Sequence, residues 1–178
     1  MVESIIVCDH SPVRLRNVHD GIDELDGRMI AALAEHPRVG LMAISRQLGV
    51  ARGTAQARLD KLVSRGVITG FGPDLDPAHM GYPVLAFVFL EISQGRLDEA
   101  VAWLEQVPEV IEAYGTSGDR DLLCRIVTHD PGHLQDVVNR ILATPAVRRS
   151  TSYVALSRQI GFRTGPLVQA AAAEAGQR

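Results

Sequence analysis

The sequence has little cysteine and no long apolar run. Its 178 residues include two cysteines, Cys8 in a segment without regular pattern and Cys124 in an apolar strand pattern. We therefore expect plain thiols rather than a disulfide or a metal site.

No stretch of the sequence approaches the roughly 18 unbroken apolar residues of a membrane span. The opening MVESIIVCDHSPVRLRN lacks a basic region ahead of a long apolar run, so we expect no secretory signal and a cytoplasmic protein without membrane contact.

Sequence motifs of catalysis are missing as well. The chain contains no Gly-x-Ser-x-Gly, no phosphate-binding loop and no dinucleotide fingerprint. His129 and His133 are spaced like a metal pair, but Pro131 lies between them at a predicted helix start, so they do not share a regular helical face. We expect no catalytic residues, no metal, no cofactor and no enzymatic activity.

Charge is distributed unevenly along the chain. The formal net charge is −3, which by itself does not favour nucleic-acid binding. Residues 45–66 hold five basic residues against one acid, so this stretch carries +4 and the rest of the chain −7. A local basic face on an acidic molecule can approach a phosphate backbone in one orientation and be repelled in others. An ordinary solvated helix face would also be charged.

Residues 22–71 show a helical pattern three times. Asp23 is placed as the N-cap of a first helix, whose apolar residues recur at helical spacing until Pro37. A second helix covers 41–48 and ends at Gly49.

The third helix is predicted from about Arg52 to Ser64, stopping at Gly66. The segment VITGF, residues 67–71, then predicts a short strand. The apolar stripe expected to be buried on the third helix consists of Ala55, Leu59, Leu62 and Val63.

The second and third helices, joined by the turn Gly49–Ala51, fit helix-turn-helix geometry, in which the later helix enters the major groove of DNA. Arg and Gln can pair with guanine and adenine, each contact giving about 1–3 kcal/mol of discrimination, whereas Lys61 and Arg65 would bind any sequence. Gly53 and Ala57 are small enough for close approach. The alternative is a helical hairpin that contacts protein. The predicted DNA-contacting residues are Arg46, Arg52, Gly53, Thr54, Gln56, Ala57, Arg58, Lys61 and Arg65.

From residue 84 onward the pattern changes to strands and helices in the order β-α-β-β-α-β. This is the ferredoxin-like arrangement, with both helices on one face of a four-stranded antiparallel sheet. The fold class is therefore α+β. The predicted segments are a strand at 84–92, a helix from Leu97 to Val107, strands at 110–116 and 121–127 around the turn 117–120, a helix beginning at Asp130 and Pro131, and a strand at 148–156.

The second sheet face is predicted to be apolar and uncovered. Two helices cannot cover both faces of the sheet, so this surface should pack against the sheet of another copy and form a two-fold dimer. Such a dimer would also bring together the two DNA-reading helices, one third helix from each copy. The residues expected to need this cover are Val88, Leu90, Ile111, Leu123, Val127 and Tyr153.

Three motifs, in order, resemble the Lrp/AsnC family of bacterial and archaeal regulators, also called feast/famine regulatory proteins. They are IDELDGRMIAAL (22–33), LGVARGTAQARLDKLVSRGVITGF (48–71) and TSGDRDLL (116–123). The resemblance covers about residues 22–161. It implies an N-terminal winged helix-turn-helix, a C-terminal ferredoxin-like effector module, dimers that often assemble into octamers, and an amino acid bound where dimers meet.

Carried over by position, the resemblance implies an effector site at the turn. A tight glycine turn exposes backbone N–H groups to a carboxylate, and Asp119 or Asp121 could accept hydrogen bonds from an ammonium group. An ordinary hairpin with a polar tip is the alternative. The implied effector-binding residues are Thr116, Ser117, Gly118, Asp119, Asp121 and Ser152.

The sequence departs from the family pattern at two positions. Ala51 replaces the usual Ser before the reading helix, which removes an N-cap worth about 1 kcal/mol. Arg120 replaces the usual aromatic residue, so either the effector differs from a plain apolar amino acid or Arg120 pairs with an acid.

Both ends overrun the usual family length. SIIVCDH near the start could add an edge strand to a neighbour, and LVQAAAAEAG (167–176) is a helix candidate. The expected organisation is an N-terminal extension (1–21), a winged helix-turn-helix (22–71), a linker (72–82), a ferredoxin-like effector and oligomerisation domain (83–160) and a C-terminal tail (161–178).

These patterns predict a sequence-specific transcriptional regulator. Its assembly and its binding to double-stranded DNA should respond to an amino acid or related metabolite. One alternative is an enzyme, because haem-precursor decarboxylases resemble the same two-module chain; its cavity would need basic and His side chains, which are poorly placed here. Another is a subunit that senses an amino acid without touching DNA, which the basic third helix disfavours.

Overall fold

The computed structural model describes residues 21–176, which separate into two units. The helical unit comprises the residues up to Gly72 together with those from Phe162, and the sheet unit is Pro73–Gly161. Predictions about Cys8 and SIIVCDH lie outside the described residues. In chain order the elements are α1 (Glu24–Glu35), α2 (Leu41–Leu48), α3 (Arg52–Ser64), a short 3-10 helix (Pro77–Met80), β1 (Val84–Ile92), α4 (Leu97–Leu104), β2 (Val110–Gly115), β3 (Leu122–Thr128), α5 (Pro131–Ile141), β4 (Val147–Val154) and α6 (Gly165–Ala175).

Two acids define the start of α1. The Asp23 carboxylate accepts a hydrogen bond from the N–H of Asp26 at 2.8 Å, and the Asp26 carboxylate accepts one from the N–H of Asp23 at 3.3 Å. This capping box confirms the predicted N-cap at Asp23. Two N–H groups that a helix start leaves unpaired are thereby satisfied.

The turn between α2 and α3 depends on a glycine. Gly49 ends α2 with φ of 70°, in the left-handed region where side chains with a Cβ are strained. Ala51 precedes α3 in extended backbone and makes no side-chain cap bond, as its replacement of Ser predicts. The observed bounds of α3 are those predicted.

A small apolar core joins the helices of the helical unit. Val63 was expected to be part of it, but this prediction is wrong, since Val63 is 43% exposed. The buried members are Ile22, Met29, Ala32, Ile44, Leu48, Ala55 and Leu62, with Val168 and Ala171 of α6 packed against them.

The predicted strand at 67–71 does not form. The N–H groups of Val67 and Ile68 both donate to the carbonyl of Leu62, at 2.9 and 3.2 Å, so they are bonded to the end of α3 and are not available to a partner strand. Phe71 is 65% exposed. The described part of the helical unit is thus a helix-turn-helix without a strand-paired wing.

The helix predicted near the C-terminal end is present and packs on α1. A Cβ built at Gly27 would lie 3.0 Å from the Cβ of Ala172 and 3.8 Å from Cγ1 of Val168. Glycine at this position therefore permits a close helix contact. The sequence predicts a helix within a C-terminal tail, and the structure adds that this helix, α6, belongs to the helical unit.

The sheet unit has the predicted β-α-β-β-α-β order. Its four strands pair antiparallel in the spatial order β2-β3-β1-β4, which is the ferredoxin-like topology. The helix α5 begins as predicted, with the Asp130 carboxylate accepting from the N–H of His133 at 2.8 Å. The fold class expected from the sequence is confirmed.

The two faces of the sheet are not divided as predicted. Val88 and Leu90 lie in the core beneath α4 and α5 and are fully buried, so assigning them to the uncovered face was wrong. Val127 pairs with Leu85 and is on the uncovered face as predicted, although only 6% of it is exposed. Because the run VLAFVFLEI is apolar at nearly every position, it carries no alternation that distinguishes the faces. Register places Leu85, Phe87, Phe89, Leu123, Arg125, Val127, Thr151 and Tyr153 together on the opposite face, here called the open face.

Candidate DNA-reading surface and effector turn

The first turn of α3 is open to solvent. Arg52, Gly53 and Thr54 are exposed, and no side chain caps their N–H groups. A helix start with unpaired N–H groups attracts anions such as phosphate. A Cβ at Gly53 would meet nothing within 4 Å.

The outward side of α3 continues through Gln56 and Ala57, which are exposed, while Ala55 and Leu62 are buried. The structure therefore places five of the predicted contacts on one accessible surface, here called the reading surface. Nε2 of Gln56 donates to Oδ1 of Asp60 at 2.8 Å, an exposed bond that can be exchanged for one to a base. The reading surface consists of Arg52, Gly53, Thr54, Gln56 and Ala57.

Arg58 lies elsewhere. Its Nη1 is 2.5 Å from Oδ2 of Asp23 and 2.7 Å from Oδ1 of Asp26, both at the start of α1. These hydrogen bonds raise the pKa of Arg58 above its ordinary value, and although burial opposes it, the bond from Arg58 helps to hold the pKa of Asp23 below its ordinary value. Its guanidinium contacts give no support to the prediction that Arg58 reads a base.

The other predicted cations lie around the reading surface. Arg46 is at the end of α2, with Nη2 3.8 Å from Sδ of Met42. Arg65 follows α3 and donates to the carbonyl of Gly21 at 3.4 Å. Lys61 is exposed on α3 itself.

The predicted effector turn is a tight polar loop between β2 and β3. The N–H of Thr116 donates to the carbonyl of Asp121 at 3.0 Å, and the Thr116 hydroxyl donates to the carbonyl of Arg120 at 2.6 Å. Gly118 has φ of 141°, a conformation that favours glycine. Ser117, Gly118 and Asp119 are exposed at its tip.

The two aspartates of the turn have different environments. Asp121 is bound to β1: its N–H donates to the carbonyl of Leu90 at 3.0 Å, and its Oδ2 accepts from the N–H of Ile92 at 2.6 Å, where the β1–β4 register shifts. Asp119 has no hydrogen-bond partner within residues 21–176. Both carboxylate oxygens of Asp119 are thus open to a ligand, whereas one oxygen of Asp121 is bonded to β1.

Arg120 pairs with an acid, which was one of the two alternatives for this position. Its Nη1 is 3.5 Å from Oε2 of Glu91, whose other oxygen lies 3.1 Å from Nη1 of Arg148. One carboxylate is thus shared by two guanidinium groups beside the turn.

Ser152 does not lie with the turn residues. It is on β4, opposite Val88 of β1, and β1 separates β4 from β3. At the usual spacing of neighbouring strands, two strand steps amount to about 10 Å. The sheet unit of one chain therefore does not bring Ser152 to the turn.

The histidine pair has a structural environment. The rings of His129 and His133 stack with centroids 4.8 Å apart, and Nε2 of His133 is 3.1 Å from Oε1 of Glu109. Across residues 21–176, no cluster of three or more His, Cys, Asp or Glu side chains is arranged to hold a metal ion. Likewise, no helix in that range has the length and apolar character to cross a membrane.

The fold and these surfaces define a class of protein: a helix-turn-helix unit joined to a ferredoxin-like module. Residues 22–63 match the family model of the AsnC-type helix-turn-helix domain, and residues 85–162 match that of the Lrp/AsnC ligand binding domain. The chain belongs to the Lrp/AsnC family of helix-turn-helix transcriptional regulators.

Individual relatives agree with this assignment. The chain is 32% identical over 135 residues to the HTH-type transcriptional regulator FL11 of Pyrococcus horikoshii, covering 76% of this chain and 89% of that protein. It is 30% identical over 141 residues to the regulatory protein AsnC of Escherichia coli K12, covering 78% and 93%. The solved structure of E. coli AsnC superimposes with a TM-score of 0.75 at 29% identity, covering 82% of this chain and 99% of that one.

Proposed function

We propose that this regulator recognises specific DNA through the reading surface of α3 and responds to an amino acid bound at the 116–121 turn. The observation that carries the first part is the exposure of Arg52, Gly53, Thr54, Gln56 and Ala57 on one side of a helix whose other side is buried. Recognition of base edges requires exposed side chains on a helix that enters the major groove, and helix-turn-helix geometry presents them in that way.

Within this proposal the contacts divide into two kinds. Arg52, Thr54 and Gln56 read bases, because their side chains can donate or accept hydrogen bonds at the N-terminal half of α3. The cations Arg46 and Lys61 hold the phosphate backbone without reading sequence, as does Arg65.

Copies of the chain are proposed to pair through the open face. Tyr153 is 60% exposed and its ring contacts that of Phe89 edge to face, with centroids 5.9 Å apart. Aromatic side chains on an uncovered sheet are typical of a surface buried against another copy. Such a dimer would present two reading helices to two half-sites. Assembly into octamers stays a prediction.

The effector part of the proposal depends on Asp119 and the backbone of the turn. An ammonium group would bind the carboxylate of Asp119, and a ligand carboxylate would accept from exposed N–H groups near Gly118. A regulator of the same fold from Neisseria meningitidis, 19% identical, forms a complex with L-Met. We further propose that the protein acts in the cytoplasm, where bacterial and archaeal DNA lies, without catalysing a reaction. The decarboxylase-like alternative has no observation in its favour.

DNA recognition is tested with a duplex selected by the parent protein from a random library. Gln56→Ala should lower the preference for that duplex over scrambled DNA by roughly 1–3 kcal/mol, while Lys61→Ala, the control on the same helix, should weaken both duplexes equally. Fluorescence anisotropy at fixed salt measures both affinities. Equal discrimination by Gln56→Ala and the parent would show that Gln56 does not read a base.

The effector site is tested by calorimetric titration of the twenty amino acids. Asp119→Asn should abolish or strongly weaken binding of the amino acid that responds, with DNA affinity unchanged. Asp98→Asn, at an exposed aspartate of α4, is the matched control and should bind that amino acid as the parent does. Undiminished binding by Asp119→Asn would contradict the proposed role of this carboxylate.

A further inference from the structure

One polar contact fixes the reading helix to the first helix. Arg58 of α3 lies three residues after Ala55 and four before Leu62, the two buried residues of α3, so all three share a helical face. Its side chain is 30% exposed, and that of its partner Asp26 is 4% exposed. Arg58 therefore points to the inner edge of α3, away from the reading surface.

The two acids that bind Arg58 are themselves held in place. Asp23 uses Oδ1 for the capping bond and Oδ2 for Arg58, while Asp26 uses Oδ2 for the capping bond and Oδ1 for Arg58. Each carboxylate oxygen thus has at least one donor. Nη1 of the guanidinium bonds both carboxylates, and this ties the middle of α3 to the start of α1.

The positive charge of Arg58 is also neutralised in this contact. Two carboxylates face one guanidinium, so the group as a whole carries −1 and does not attract phosphate. Phosphate attraction comes instead from the exposed cations around the reading surface, such as Lys61.

Building on the proposed reading surface, we propose that Arg58 is a positioning residue for DNA recognition. By binding the capping box of Asp23 and Asp26, it sets the orientation at which the side chains of α3 meet the bases, and it determines base preference without touching DNA.

The test uses the full chain and the duplex that the parent selects from a random library. Affinity is measured by fluorescence anisotropy at several salt concentrations. A stoichiometric titration gives the active fraction of each variant, so that partial unfolding is not counted as lost affinity. Competition by duplexes altered at single positions measures base preference.

Three variants change the contact, namely Arg58→Lys, Arg58→Gln and Asp26→Asn, and Lys61→Gln serves as control. Arg58→Lys keeps the charge, but the lysine side chain is one atom shorter than the path to Nη1, the nitrogen that bonds both acids. Asp26→Asn alters the contact from the α1 side. Both should change the preference at one or more base positions by about fivefold or more while keeping the parental slope of affinity against salt. Lys61→Gln should lower that slope by about 1 and leave base preference unchanged.

Parental base preference in both Arg58→Lys and Asp26→Asn would overturn the proposal, and so would a loss of about one unit of salt slope in Arg58→Gln. If the parent prefers no duplex, the proposed reading function fails instead.

The positioning role of Arg58 is then tested in the free protein. Asp26→Asn should shift the NMR signals of the amides from Arg52 to Gln56, and unchanged signals would overturn the positioning role.

Discussion

The contact between α1 and α6 predicts a steric effect at Gly27. In Gly27→Leu the new Cβ would begin 3.0 Å from the Cβ of Ala172, whereas carbon atoms pack at about 3.5–4.0 Å, and three further carbons would have to follow. Overpacking of this kind costs about 1–3 kcal/mol. Replacing a glycine within a helix by a better helix former stabilises the helix by at most about 1 kcal/mol, which does not offset this cost.

The free energy that holds α6 on α1 is of the same size as this overpacking cost. No residue of α6 is fully buried, and Val168, Ala171 and Ala172 are partly buried, so docking is worth on the order of the roughly 1.5–3 kcal/mol of one fully buried side chain. The substitution should therefore release α6 in a large fraction of molecules. We expect the hydrogen-exchange protection of α6 amides to fall by a factor of about 5–30.

Hydrogen exchange followed by NMR or mass spectrometry measures this protection for each segment. Gly53→Leu is the matched control, because a Cβ at Gly53 meets nothing within 4 Å and α6 should keep its parental exchange rate. Parental protection of α6 in Gly27→Leu would refute the reasoning that the helices are held together at this glycine.

Three other predictions follow from single groups. Gly49→Ala should destabilise the helical unit by about 1–2 kcal/mol in urea unfolding, because φ of 70° is strained for alanine. Burial tends to raise the pKa of Glu109, but the bonds from Arg140 and His133 hold this pKa below the ordinary 4.5. The contribution of ionised Glu109 to stability should therefore be complete above pH 4.5 and lost as the pH falls through the lowered pKa, and Glu109→Gln should remove this acid dependence in urea unfolding. Burial raises the pKa of Cys124 to about 12, so in a Cys8→Ser background a thiol reagent at pH 8 should label the protein only as it unfolds.

Local rules predicted the helical elements well. The bounds of α3, the glycine that ends α2 and the caps at Asp23 and Asp130 were all confirmed, because each depends on residues within one turn of the helix end. The accessible side of α3 followed from the same spacing.

Long-range contacts account for what was missed. The partners of Arg58 are 32 and 35 residues away in sequence, so helical spacing places this residue near the surface but cannot reveal the ion pairs. Its position between Ala55 and Leu62 was the available signal. In the same way, the bond from the N–H of Ile92 to the side chain of Asp121 joins residues 29 apart. The sequence of the turn alone does not reveal this bond.

The division of the chain into units has a consequence for its synthesis. The sheet unit, residues 73–161, is an insertion of 89 residues between two segments that pack together, the helix-turn-helix and α6. At translation rates of about 5–20 residues per second, the ribosome needs about 4–18 seconds to make this insertion. During that interval the nascent α1 has no α6 to cover it. The fourth helix joins its neighbours only after the whole ligand-binding module has been translated, so an interrupted chain never carries the complete helical unit.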